Sequence, residues 1–134
     1  MGLYMPLAAQ EKRIQAAHVS VCELLRNPRE YHGRVVQVRA HVHPPIIDTP
    51  LSLGDPTCPT TILLDEKQAR DHQNDHAFFL YLRELRPMEA TLSGRFVMVL
   101  VPSEEPLLML RLLRVDDVVP GPALFRFRLR RKPK

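Results

Sequence analysis

Tryptophan is absent from this chain of 134 residues, and only five phenylalanines and three tyrosines are present. A core must therefore be built mainly from valine and leucine. Nucleic-acid binding that stacks bases on aromatic platforms has few residues to draw on. The five glycines stand singly, which excludes a glycine-rich phosphate loop. No apolar run reaches the roughly 18 residues that a membrane-spanning helix needs. There is no C-x-x-C and no G-x-S-x-G, and Ser93 precedes Gly94 inside an ordinary alternating stretch. Cys22 and Cys58 lack the cationic setting that would depress a thiol pKa. The paired carboxylates Glu104-Glu105 and Asp116-Asp117 are sequence neighbours, which tend to diverge rather than converge on one bond. Together these absences argue against an enzyme.

Proline, by contrast, is plentiful, with 13 residues spread from Pro6 to Pro133. Proline is tolerated at strand edges and in loops but breaks helix interiors, so long helices are not expected. The size and composition are those of one globular domain. The net charge of +4 is unevenly placed: six cations and no acid fall in the last nine residues, Arg126 to Lys134. Removing those six leaves a body of −2. The basicity therefore belongs to a terminal arm over 120–134, which could meet phosphates or an anionic surface or simply be solvated.

The start of the chain, Met1 to Gln10, is apolar and ends Pro6-Leu7-Ala8-Ala9-Gln10, like the tail of a secretory signal around its cleavage point. It lacks a basic n-region. Residues 1–19 are expected to form a flexible lead-in, polar and weakly helical over 10–19, and the location expected is periplasmic or secreted, with the cytoplasm as alternative. An even cysteine count fits a Cys22–Cys58 disulfide in an oxidising compartment, the alternative being two buried thiols.

Ser20-Val21-Cys22-Glu23 has the form of a capping box, with Ser20 as N-cap, and Asn27-Pro28 stops the helix that follows. Gly33 is expected to supply a positive φ after Tyr31. From Arg34 to His43, apolar Val36, Val38, Ala40 and Val42 alternate with Gln37, Arg39, His41 and His43, which predicts a strand with one buried and one wet face. Ile46 to Leu53 is a poorer strand interrupted by Pro50, and Thr60 to Leu64 a short β-branched one. Glu66 to His76 predicts a polar surface helix or loop, while Ala77 to Leu82 fits strand or helix equally. Glu89 to Val101 and Leu107 to Val115 complete the strands, and Val118-Val119 could extend the last before Pro120-Gly121-Pro122 breaks the chain. Ala40 and Gly94 each place a small residue in mid-strand, as a tightly coiled barrel requires at its bends.

The stretch S-V-C-E-L-L-x-N-P-x-x-Y-x-G-x-x-V-x-V-x-A, Ser20 to Ala40, resembles the opening of small exported bacterial domains of uncharacterised function with OB-like architecture. With the later strands, the resemblance spans about 20–119. It implies a mainly β fold, a single OB-like five-stranded barrel with a short N-terminal helix, and it implies no catalytic residue. The last strand is more apolar than a free barrel surface should be, which points to packing against the helix or a partner.

The expected function is a non-enzymatic binding or interaction module, with a protein or oligomeric ligand on the barrel face at Arg39, His41 and His43. Two alternatives come from other residues. His41 and His43 share a strand face, and His72 and His76 would share a helix face, so a zinc site and a metal-dependent hydrolase are chemically reasonable if the pairs meet. Phe125, Arg126, Phe127 and Arg128 form an alternating aromatic–basic strip that could bind single-stranded nucleic acid.

Overall fold

A computed structural model describes residues 16–72 and 76–121, apart from the side chains of residues 70–72. Its strands are β1 (Ala17–Ser20), β2 (Val35–His43), β3 (Ser52–Gly54), β4 (Ile62–Asp65), β5 (Met88–Val99) and β6 (Leu107–Pro120). Four short helices intervene: α1 (Val21–Arg26) and α2 (Pro28–Tyr31) before β2, and α3 (Lys67–His72) and α4 (His76–Arg83) between β4 and β5.

Strand β2 organises the rest. Val36, Val38, Ala40 and Val42 are buried while Arg39, His41 and His43 are exposed, as the two-residue period of a strand dictates. One edge of β2 pairs antiparallel with β5, from Val35 opposite Arg95 to Val42 opposite Met88. The other edge is shared. β1 runs parallel along it from Val36 to Arg39, and β3 runs antiparallel from His41 to His43. β3 then pairs antiparallel with β4, β4 parallel with β6, and β6 antiparallel with β5. The circuit β2-β3-β4-β6-β5-β2 closes, giving a five-stranded barrel compatible with an OB-like fold. Closure pairs the edges that an open sheet would leave as templates for aggregation.

The barrel interior is aliphatic. Val36, Val38, Val42, Leu53, Ile62, Leu92, Leu110 and Leu112 are almost fully buried, with Phe96 beside them. Val21 and Leu24 from α1 and Phe78 and Leu82 from α4 join the same cluster. The undecided run Ala77 to Leu82 is thereby settled as helix. Phe78 and Leu82, four apart, are buried while Leu80 between them is exposed, which strand alternation would not allow. Tyr81 and Leu82 carbonyls accept from Arg86 and Leu85, and Leu85 takes φ +56°, so α4 ends in a Schellman turn.

The N-terminal helix behaves as its capping residues require. Ser20 Oγ accepts from the Glu23 amide at 3.0 Å, and Gly33 has φ +83°. The Glu23 carboxylate accepts instead from Arg26, Asn27 and the buried Tyr31 hydroxyl, tying α1 to α2. Gly33 then donates to the Phe96 carbonyl at 2.7 Å, fixing the entry of β2 beside β5.

Two expectations are corrected. Residues 17–20 are strand, not part of the weakly helical lead-in expected over 10–19, because they find the half of the β2 edge that the three-residue β3 is too short to cover. Of the Ile46 to Leu53 stretch only Ser52 and Leu53 belong to a strand, which continues to Gly54. Ile46 and Thr49 exchange two backbone hydrogen bonds of 2.9 Å, making a hairpin tip of Ile47-Asp48 instead. The final strand does take in Val118-Val119 and runs unbroken through Asp116-Asp117 to Pro120, carried by two bulges against β5 that leave Leu113 and Asp116 without cross-strand partners.

Those bulges explain Gly94. A Cβ there would lie 2.5 Å from the Arg111 carbonyl oxygen and 3.0 Å from Leu110 Cγ, so β6 crosses too closely for a side chain. Gly94→Ala is expected to destabilise the fold by about 1–3 kcal/mol through overpacking, measured as a lowered denaturant midpoint at unchanged m-value.

Cys22 and Cys58 lie at disulfide distance, with Cα atoms 5.7 Å apart across 36 residues. They join α1 to the β3–β4 loop near the point where β1 leaves the edge of β2 and β3 takes it up. Thr57 Oγ1 sits 3.2 Å from Cys22 Sγ and donates to Asp55, bracing that loop. Reduction, or Cys22→Ser with Cys58→Ser, should cost about 3–4 kcal/mol from the released loop entropy. Urea unfolding with and without reductant would read that difference.

Candidate functional site

The outward face of β2 is where the sequence puts its ligand-binding residues, and the three have different surroundings. Arg39 is engaged through its Nε and Nη1 groups. Its Nε donates to Glu89 at 3.2 Å, and its Nη1 donates to Thr91 at 2.8 Å and to Asp117 at 3.2 Å. The hydrogen bonds to Glu89 and Asp117 raise its pKa and hold it cationic. Its exposed ion pairs add little stability singly, but they fix the guanidinium across β2, β5 and β6.

His41 and His43 are exposed and stand beside β3. Gly54, opposite His41, has no side chain, and a Cβ there would approach His43 Nε2 to 2.8 Å. The His43 ring therefore lies over the glycine backbone. Asp55, the next residue, has its carboxyl held below its ordinary pKa, first by the Thr57 hydroxyl and backbone amide and further by His41.

From His43 the chain enters the Pro44–Leu51 connection, and there the surface opens. A cleft of about 800 Å³ lies between this connection and α4, with Pro45, Pro50, Leu51, Phe79 and Leu82 as its apolar walls. Glu66, His76 and Arg83 supply polar groups at its margin. The Phe79 ring packs edge-on to Phe78 with centroids 5.2 Å apart, so this wall is anchored in the core. Ile46 and Ile47 project beside it, 60% and 99% exposed. A mostly apolar concavity with a few polar groups is the usual form of a ligand site.

The four histidines considered for zinc are thus distributed: His41 and His43 on the β2 face, His76 at the cleft, and His72 at the end of α3 with its side chain outside the described residues. His72 and His76 fall in separate helices, with 73–75 outside the described residues. Among the described residues, no group of three or more His, Cys, Asp or Glu is placed to hold a metal ion. Phe125, Arg126, Phe127 and Arg128 lie outside the described residues altogether. Among those described, no helix is long and apolar enough to cross a membrane.

Sequence reasoning missed the cleft, whose walls come from a proline-flanked loop and a helix that periodicity left ambiguous. The Pro44-Pro45-Ile46-Ile47 run, apolar yet unable to pair as a strand, was the available signal. It also missed a polar cluster around the bulge at Asp116. That carboxylate, its side chain only 17% exposed, accepts from Ser93 Oγ at 2.6 Å, from Gln37 at 3.0 Å and from Arg114.

No protein-family model matches the chain, and no curated protein matches it either.

Asp116 makes the pH dependence of stability predictable. Desolvation raises its pKa, but the hydrogen bonds from Ser93, Gln37 and Arg114 outweigh it, and the net shift is downward. A depressed carboxyl contributes stability that is complete above its unfolded value of 3.8 and is lost as pH falls through the lower folded value. Stability should therefore fall on acidification below about pH 4, and Asp116→Asn should flatten that fall. Ser93→Ala should cost about 1–2 kcal/mol at neutral pH. Thermal melts over the acid range check both.

Proposed function

We propose that this chain is a non-enzymatic binding module built on an OB-like barrel, acting in an oxidising compartment, periplasmic or secreted. The observation that carries the binding reading is the apolar cleft between the Pro44–Leu51 connection and α4, with its walls anchored in the core. The Cys22–Cys58 pair supports the compartment.

The occupant proposed is an extended segment of a protein or oligomeric ligand. One apolar group enters the cleft between Leu51 and Phe79, and the adjoining polar backbone runs over the shallow surface at His41, His43 and Gly54. Compared with the ligand face expected at Arg39, His41 and His43, the centre moves from Arg39 toward the cleft. Arg39 has its Nε and Nη1 donors taken by Glu89, Thr91 and Asp117, and through them it clamps the sheet.

NMR titration with a pool of short peptides carrying a central Leu or Phe tests this. Shifts should concentrate on Leu51, Phe79, Leu82, His41 and His43, and Pro45→Glu with Pro50→Glu should abolish them without lowering the melting temperature. Absence of shifts at millimolar peptide, or shifts scattered over the barrel and indifferent to the double substitution, would sink the proposal.

A further inference from the structure

Away from the cleft, the outer surface of β5 and β6 near the 100–106 loop carries an unexplained apolar face. Strand pairing sets Val97 opposite Met109 and Val99 opposite Leu107, and β4 adds Leu63 opposite Met109. None of these five belongs to the core or to the apolar residues packed against it, whereas their neighbours Met98, Leu108 and Leu110 do. Leu107 remains 44% exposed and Leu100, where the loop begins, 77%, while Leu63, Val97, Val99 and Met109 are half-buried. Adjoining rows of half-buried to exposed valine, leucine and methionine outside the core have the composition of an interaction surface.

The two ends of this face carry opposite charge. On one side the next row sets Arg95 directly opposite Arg111, both exposed. Like charges so placed repel, and nothing described neutralises them. Arg95 donates to the Gly33 carbonyl, a neutral acceptor. Asp65, across from Arg111 on β4, accepts from the Lys67 amide at 3.2 Å and forms no ion pair with it. Arg114, a row further, is matched by Asp116. On the other side the loop carries exposed Glu104 and Glu105.

A strip ordered acid, apolar, base is complementary to itself. A two-fold axis lying in the plane of the face, perpendicular to the strands, lays apolar rows on apolar rows. It brings the Arg95–Arg111 row of each copy to the Glu104-Glu105 loop of the other. Such an isologous contact closes on itself. The glutamates would repel a phosphate-rich surface, which argues against nucleic acid or an anionic bilayer as the occupant. We propose that this face is the interface of a homodimer, independent of the cleft. It spans only a few residues on three strands, small beside the roughly 800 Å² per partner of a standard interface. The dimer is accordingly weak and reversible.

Sedimentation equilibrium of the full oxidised chain at low salt, from about 10 µM to about 1 mM, tests this range of affinity. The expected result is a monomer–dimer equilibrium that Met109→Glu abolishes. Arg111→Glu and Glu105→Arg should each weaken association about tenfold or more, and the two together should restore it. Circular dichroism confirms that each variant folds. The charge exchange carries the test if Met109→Glu does not. A chain monomeric throughout, a dimer indifferent to these substitutions, or a double exchange no better than either single one would overturn the proposal. So would binding of a different protein in this face without self-association.

Discussion

The double engagement of strand β2 is the constraint on which the rest of the structure depends. A nine-residue strand that pairs with β5 from Val35 to Val42 on one side must find partners for its other edge. β3, at three residues, covers only the His41–His43 end. The remainder falls to β1, and the chain leaving β1 must turn at once into α1 so as to return and enter β2 itself. Ser20 serves both needs. It is the last residue of β1 and the N-cap of α1. The Cys22–Cys58 bond then holds together the two segments that part company on that edge.

The same closure decides what each face can do. An inner face packed with valine and leucine leaves every alternate residue outside, and the outer residues sort into zones rather than mixing. Arg39 ties Glu89, Thr91 and Asp117 together, and Gln37, Ser93, Arg114 and Asp116 form a second hydrogen-bonded set. Both lie across the β2–β5–β6 seam, where the ladder is interrupted by bulges. Cross-strand polar ties at such a seam hold register where backbone pairing is weakest. Charge at this seam ties the strands together, and Arg39 commits its Nε and Nη1 donors to that task.

How much of this was legible follows from how local each signal is. The alternation of Val36 to Val42, the Ser20 cap and the positive φ of Gly33 depend on neighbours in sequence, and the sequence shows them. Gly94 was legible as a bend but not as a bulge, because the Arg111 carbonyl that forbids a Cβ comes from another strand. The strand at 17–20 was illegible for the same reason: four residues reading Ala-His-Val-Ser acquire extended structure only from the free edge of β2. Ala77 to Leu82 could not be decided by period, since consecutive apolar residues satisfy both templates. Burial of Phe78 and Leu82 around an exposed Leu80 decides it. The cleft needs both the Pro44–Leu51 connection and α4, so neither segment alone announces it.

The apolar last strand connects these levels. Its composition exceeds what one face of a barrel needs, and pairing divides the excess cleanly. Leu108, Leu110 and Leu112 turn inward, and Leu107 and Met109 turn out. β4 and β5 place Leu63, Val97 and Val99 outward in the same rows, so three strands that meet only through folding share one surplus. An outward run on a single strand could be incidental. Coincident rows on three strands, bounded by arginines that no described residue neutralises at one end and by glutamates at the other, have the composition of half an interface. The hydrophobic effect that closes the barrel acts equally on what is left outside it, and a second copy supplies both the apolar cover and the two missing sets of counter-charges.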